Sequence, residues 1–285
     1  PAGISTSCDK EEVSVKAALI QMRNVSDKAE NLIHASKLIC EASKNGAELC
    51  VLPEMFCCEY RNRAFIENQE PAGGPAWRML SDAAKENGVW LIGGTIPESE
   101  DGRIYNTSFV FDREGRQAAR CRKSHLFDID VDGGQKFKES DTFTAGDEIC
   151  VFDTEFGRFG LCVCFDMRFP ELARIMSMDG AWAVFCPASF NMTTGPAHWE
   201  IMFRGRAVES QVYTLGCAPA RDEQGSYVSY ANSIAVSPWG DVLARAGAEE
   251  TTLYVDIEEA EVRSIRRQLP LMSARRTDIY ELRRI

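Results

Sequence analysis

Histidine is scarce in this 285-residue chain, paired-cysteine motifs are missing, and no long apolar run occurs. The three histidines (His34, His125, His198) are far apart and no Cys-x-x-Cys pair is present, so a zinc centre has few ligands to draw on. No metal and no other cofactor is expected. No apolar stretch approaches the roughly 20 residues needed to cross a bilayer. The opening residues, PAGISTSCDKEE, lack the apolar core of a signal peptide. Basic charge is also in short supply. A net charge of −11 argues against nucleic acid and anionic membranes as partners. Glycine and proline, at 21 and 11, are at ordinary levels, so broad disorder is not expected.

Cysteine is plentiful. Eleven are spread through apolar runs such as ELCVLP and AVFCPA. An odd number without a secretory signal suits reduced thiols acting as small buried hydrophobes, and a cytoplasmic protein is the expectation.

Strand and helix signals alternate. Val13–Met22 reads as a strand, and Asp27 with Glu30 as a capping pair. Leu32, Ala35, Ile39 and Ala42 then mark a helix face ending at Gly46. A buried strand follows at 49–53, then a helix from Pro75 to Asn87 closed by Gly88, and a strand over 89–97. Further strands are expected at 104–112 and after the DREG turn, around Arg158–Phe165, at 181–187 and on to about residue 256. Helices are expected from Pro170 and over about 197–211. No linker interrupts the pattern, so one α/β domain over 13–268 is expected, with a polar extension at 1–12 and a tail at 269–285. GAELCVLPEMF (46–56) also echoes GAWAVFCPASF (180–190) without gaps. Any helix–glycine–strand unit looks like this. Two related halves forming a two-sheet sandwich would produce it too, and would bring strand carboxyl ends to one rim, where ligands bind.

The stretch LCVCFDMRFPEL (161–172) carries two cysteines on one strand face. Pro170 cannot continue a central strand, so Cys164 falls at the strand's end, where the chain turns, and Cys162 lies one step deeper. A nucleophile at such an elbow leaves the Phe165 backbone N–H beside any oxyanion formed at the sulfur. A thiol at Cys164 needs a base or a positive neighbour. His125 and His198 lie in no local signature tying them to it. Glu54, at the end of the buried strand LCVLP, and Lys123, in CRKSHLFD, are better placed. Taken alone, a strand-end Glu is more often a satisfied structural residue, and a lone Lys a solvated charge.

The combination LPE (52–54), K-x-HLFD (123–128) and C-F-D-x-RFPE (164–171) closely resembles the nitrilase superfamily of carbon–nitrogen hydrolases, from about Val13 to Tyr280. The resemblance implies a four-layer αββα sandwich. It makes Glu54 the general base, Lys123 the cationic stabiliser and Cys164 the nucleophile of a cofactor-free amide hydrolysis. Glu139, in KESDTFTAG, matches the second acid that orients Lys123. SFNMTTGPAHWE (189–200), RGRAVESQVY (204–213), PARD (219–222) and SPWGDVLARAG (237–247) look like the ω-amidase branch, which hydrolyses the terminal amide of α-ketoglutaramate and α-ketosuccinamate. A carboxylate substrate needs a local cation in a −11 protein. Arg168 is the candidate, its alternative a structural salt bridge to Asp166 or Glu171. Tyr60, Thr193 and Thr194 are further candidate substrate contacts, although hydroxyls at the threonine positions more often cap the following helix. Cys162 stands where relatives usually have Gly, and Cys57 and Cys58 where ω-amidases carry small polar residues and Pro, which bears on substrate length. His125 is expected to support the Lys123 loop, and His198 and Trp199 to pack around the following helix. An amidase for deaminated glutathione or an N-carbamoyl compound is the enzymatic rival, and a non-catalytic binding module the rival of another class. A homodimer or higher homo-oligomer is implied, with the 269–285 tail draped across the pair.

Overall fold

A computed structural model describes residues 13–285, so the extension expected at 1–12 lies outside the described residues. The first half runs β1 (Ser14–Gln21), α1 (Lys28–Lys44), β2 (Leu49–Val51), α2 (Asn62–Asn68), α3 (Pro75–Asn87), β3 (Trp90–Ile92), β4 (Ile96–Glu100), β5 (Arg103–Phe111) and β6 (Gln117–Arg122). A small hairpin of β7 (Asp128–Asp130) and β8 (Lys136–Lys138) follows. The second half runs β9 (Cys150–Thr154), β10 (Gly157–Leu161), α4 (Pro170–Met178), β11 (Ala183–Pro187), α5 (Gly195–Ser210) and β12 (Tyr213–Cys217). It ends with β13 (Ile234–Val236), β14 (Val242–Arg245), β15 (Thr251–Glu258) and α6 (Glu259–Gln268).

The strands form two sheets, ordered β15–β1–β2–β3–β5–β4 with β6 on β5, and β14–β13–β12–β11–β10–β9. Each is built on a parallel trio, β1–β2–β3 in one and β10–β11–β12 in the other. Strands of a sheet covered on both faces should read as near-continuous apolar runs, and β1 does. Its Ala17 and Leu19 face Phe159, Phe185 and Leu215 of the second sheet, while Ala18 and Ile20 face Ala35, Ile39 and Leu80 of α1 and α3. On the other side, Met176 of α4 closes on Gly160 of β10 and Phe203 of α5 on Gly216 of β12. A Cβ at Gly216 would stand 2.4 Å from that ring. The layers are therefore αββα, as the resemblance implies. Each large side chain buried between them contributes about 1.5–3 kcal/mol.

Local signals account for the elements that hold the site. Asp27 caps α1, its Oδ1 accepting the Glu30 N–H at 2.9 Å, and Ala35, Ile39 and Ala42 are buried beneath it. Leu32 is only half-buried, and Asn31 takes the inward place by bonding both Val25 backbone groups. The echoing segments occupy equivalent places. Gly46 and Gly180 both turn with positive φ (86° and 98°), and β2 and β11 are each the middle strand of their parallel trio.

Two strands differ from expectation. The run 89–97 is broken at Gly93–Gly94 into β3 and β4, which pair with opposite ends of β5. Gly94 has φ +56°, and a Cβ there would lie 2.2 Å from the Pro53 carbonyl oxygen, so only glycine lets these backbones meet. The strand expected over 158–165 stops at Leu161, and Cys164–Arg168 forms a tight 3₁₀ turn instead. The segment 269–285 is tied to its own chain at points, Gln211 donating to the Leu269 carbonyl at 2.6 Å and Arg284 to that of Ile149 at 2.8 Å, while most of its residues are exposed.

Candidate active site

The break in β3–β4 supports Glu54. Thr95 N–H donates to the Pro53 carbonyl at 3.2 Å, and Thr95 Oγ1 accepts the Met55 N–H at 2.9 Å. The turn after β2 is thereby clamped, and Met55 is forced to φ +54°. Lys123 leaves the end of β6 with its N–H on the Asn106 carbonyl at 2.9 Å, and its side chain is fully buried. Glu139 opens a short 3₁₀ turn after β8. Cys164 opens the turn after β10 with φ +46°, a left-handed conformation that costs a non-glycine residue on the order of 1–3 kcal/mol.

These side chains meet. Lys123 Nζ lies 3.0 Å from Glu54 Oε1 and 2.9 Å from Glu139 Oε2, with none of the three exposed. Asn106 Nδ2 donates to the same two acids at 2.9 and 3.1 Å, and the Phe127 N–H to Glu139 Oε2 at 2.6 Å. Tyr60 Oη lies 3.3 Å from Glu54 Oε1 and 3.1 Å from Glu139 Oε1, so its one proton serves either acid. All these contacts fall on Oε1 of Glu54. Its Oε2 is buried and has no hydrogen-bond partner. The Cys164 thiol is near enough to bias the Glu54 proton affinity, without meeting full hydrogen-bond geometry.

The proton balance follows from burial. Desolvation pushes Glu54 above the ordinary carboxylate range. Lys123 opposes that shift and Glu139 reinforces it. Burial also lifts the Cys164 thiol well above its ordinary value, with Glu54 adding to the rise and Lys123 opposing it, so the resting sulfur is protonated. For Lys123, burial favours the neutral amine, but Glu139 and Glu54 outweigh it and hold the ammonium firmly charged. The result is a charged lysine, a protonated thiol and a carboxylate with raised proton affinity beside it.

Asp166 joins the Cys164 turn to the Lys123 loop. It accepts the N–H groups of Val163 (3.0 Å), Ser124 (3.4 Å) and His125 (2.8 Å), and lies 2.8 Å from His125 Nδ1. The His125 ring stacks on Phe169 at 3.6 Å, so His125 braces the Lys123 loop. A cavity of about 300 Å³ reaches Glu54 and is also lined by Tyr60, Ser189 and Tyr227. A second, of about 410 Å³, is lined by Tyr60, Phe137, Thr193 and Tyr227. The rings of Tyr60 and Tyr227, tilted against each other at 4.6 Å, border both.

Sequence comparison gives this geometry a family. The family model described as "Carbon-nitrogen hydrolase" matches residues 16–267. The chain belongs to the carbon–nitrogen hydrolase family. It is 48% identical over 267 residues to the omega-amidase NIT2 of Bos taurus, covering 94% of this chain and 97% of the relative. Among solved structures it is similar to Saccharomyces cerevisiae Nit3, a member of branch 10 of the nitrilase superfamily. That match has a TM-score of 0.85 at 38% identity and covers 92% and 97% of the two chains. It also resembles an amidase from Nesterenkonia sp. AN1, solved after Michael addition of acrylamide at the active-site cysteine. There the TM-score is 0.75 at 26% identity, over 90% of this chain and 98% of that one.

In this carbon–nitrogen hydrolase Glu54, Lys123, Glu139 and Cys164 stand together, and Tyr60, lining both cavities, is also a partner of both acids. Cys162 is buried in the core against the second sheet, beside Cys186. Arg168 makes neither expected salt bridge. Asp166 is engaged by backbone and His125, and no acid pairs with Arg168 among the described residues. Its guanidinium lies over Phe190 (4.7 Å) and Phe165 (5.5 Å), with Nη1 3.0 Å from His198 Nδ1. His198 is thus an exposed contact of Arg168 rather than packing, whereas Trp199 is buried and bonds the Asn232 carbonyl. Thr193 is exposed on the outer cavity. Thr194 stands at the N-cap of α5, but its hydroxyl donates to Asn191 Oδ1 and accepts no helix N–H. Sequence reading missed Asn106, whose signal was an amide inside the apolar strand IYNTSFVF. It also missed Tyr227, for which 222–230 carries no signal.

Proposed function

We propose that this hydrolase removes the terminal amide of small ω-amido dicarboxylic acids of the α-ketoglutaramate and α-ketosuccinamate type, releasing the acid and ammonia. The observation that carries the reading is the free, buried Oε2 of Glu54 beside a protonated Cys164, with its other oxygen fixed by Lys123. Glu54 Oε2 takes the thiol proton and the sulfur attacks the amide carbon. The oxyanion is held by Lys123 and the Phe165 N–H. Two of the three Lys123 N–H donors face the acids and the third remains. Glu54 then passes its proton to the departing ammonia. It next takes one from a water that attacks the thioester, giving the acid and restoring the thiol. No cofactor enters.

The omega-amidase names of the relatives support the substrate class. So does Arg168, a guanidinium without an acidic partner among the described residues, whose charge is disfavoured by burial and favoured by the nearby Cys164 and Tyr227. Its Nε is buried without a hydrogen-bond partner. Arg168 binds the substrate carboxylate, with Tyr60, Thr193 and Thr194 bordering the approach. The working unit is a homodimer formed along α4, α5 and the tail from residue 269, where Ile201 and Val208 of α5 leave apolar surface exposed. The location is cytoplasmic. The ten cysteines of the described residues are all unpaired thiols, which suits a reducing compartment. Among the described residues no helix is long and apolar enough to cross a membrane.

The test is ammonia release from α-ketoglutaramate, α-ketosuccinamate, deaminated glutathione and an N-carbamoyl amino acid, with Cys164→Ala as the blank. Preference for the keto-acid amides, absent in the blank, is the expected result. Preference for either of the others would refute the substrate assignment, and turnover surviving in the blank would refute the mechanism.

A further inference from the structure

We infer that His198 is a specificity-positioning residue. It aims the Arg168 guanidinium at the substrate carboxylate through a neutral hydrogen bond that leaves the arginine charge uncompensated. The inference rests on the assignment of Arg168 as the carboxylate ligand. A guanidinium has donors and no acceptor, so at the 3.0 Å contact His198 Nδ1 must accept and the ring proton must sit on Nε2. The imidazole is therefore neutral in this arrangement.

The rest of the surroundings point the same way. One face of α5 holds Arg168 at three points spaced four residues apart. Arg206 grips its main chain, Nε on the Met167 carbonyl at 2.9 Å and Nη2 on the Arg168 carbonyl at 2.8 Å. Met202 Sδ lies 3.7 Å from Arg168 Nη1, and His198 completes the series. The Phe190 and Phe165 rings supply flat walls, and attraction to their faces leaves the cation unneutralised. Among the described residues His198 is the only nitrogen or oxygen partner of the Arg168 side chain. Desolvation already disfavours the Arg168 charge, and an aspartate or glutamate in place of His198 would neutralise it before any substrate arrived. An imidazole acceptor fixes the direction of the fork while keeping its charge available for a bidentate pair with a carboxylate.

Three variants read against two ligands test this. His198→Leu removes the acceptor. His198→Asn keeps one, its Oδ1 standing near the place of Nδ1. Arg168→Met removes the cation. The ligands are α-ketoglutaramate and pentanamide, a neutral amide of equal carbon count read as substrate or as competitor. His198→Leu should raise KM for α-ketoglutaramate about tenfold, the lower range of a hydrogen bond to a charged group, with kcat and the pentanamide constant within about twofold of wild type. His198→Asn should restore most of the loss. An unchanged KM in His198→Leu, an equal shift for both ligands, or His198→Asn behaving like His198→Leu would each overturn the inference. If Arg168→Met separates the two ligands while His198→Leu does not, the positioning role alone falls. If Arg168→Met fails to separate them, the carboxylate assignment falls and takes this inference with it.

Discussion

Replacing Lys123 by methionine keeps the shape of the side chain and deletes the charge between two carboxylates, so it isolates what that charge holds in place. In the wild type Lys123 Nζ lies 3.0 and 2.9 Å from Glu54 and Glu139, and all three side chains are fully buried. Removing one partner of a buried ion pair costs about 3–5 kcal/mol, because the remaining charge stays desolvated. Here two acids lose the cation, which argues for the upper end. Asn106, Tyr60 and the Phe127 N–H still donate to them, which argues for the lower. Loss of about 4 kcal/mol near pH 8 is therefore expected in urea unfolding. The sign of the pH dependence is fixed by Glu54. Burial already raises its folded pKa above the unfolded value, and loss of Lys123 raises it further. A carboxyl raised on folding contributes stability that is present at low pH and lost as pH rises through the folded value. The gap between variant and wild type must therefore narrow on acidification from pH 8 towards pH 5.5. Ammonia release should fall at least 10²-fold as an oxyanion donor disappears. A gap below about 1 kcal/mol, or one equally wide at both pH values, would refute this account of the cluster.

Two more expectations concern the nucleophile turn. Cys164→Ala should abolish turnover and leave the unfolding midpoint unchanged or higher, since the variant retains the fold. Cys162→Ala, which removes only a buried thiol from the core, should keep most activity at a cost of about 1 kcal/mol. Equal loss of turnover in both variants would contradict the separation of their roles. Asp166→Ala frees three backbone N–H groups and His125 together. It should lower kcat more than tenfold and destabilise by about 2–4 kcal/mol, since the buried Val163 donor left unsatisfied costs about 1–3 kcal/mol and the half-buried Ser124 and His125 donors, which water can reach, cost less. Unaltered kcat with lowered stability would show that the clamp does not set the nucleophile's position.

Much of the architecture was legible because the helices carry their own punctuation. Pro75 and Gly88 bound α3 where expected, and Asp27 starts α1. Strand lengths were not legible in the same way. Apolar composition continues through 89–97 and 158–163, but hydrogen-bonded pairing stops at Ile92 and at Leu161. Both interruptions are tertiary in origin. Gly93–Gly94 gives way so that Thr95 can clamp the Pro53–Met55 turn, and the chain leaves β10 early so that Asp166 can reach back to Val163. Nothing in a local window distinguishes a strand that ends for lack of apolar residues from one that ends because another segment needs its backbone.

The site divides along the same line. Glu54, Lys123 and Cys164 stood out through the LPE, K-x-HLFD and C-F-D-x-RFPE motifs together, and only Glu54 and Cys164 also follow an apolar strand. The partners that make them work come from distant places: Asn106 from the middle of β5, Tyr60 from the loop before α2, Tyr227 from the segment before β13. Arg168 shows the limit most clearly. Four residues after Cys164, its nearest acids in sequence are Asp166 and Glu171, and a local salt bridge was a fair reading. The fold spends Asp166 on backbone donors and brings His198, thirty residues away, against the guanidinium instead. That exchange of an acid for an imidazole keeps the cation unneutralised. A protein of net charge −11 that is to hold a carboxylate substrate needs one such place, where positive charge is left unmatched.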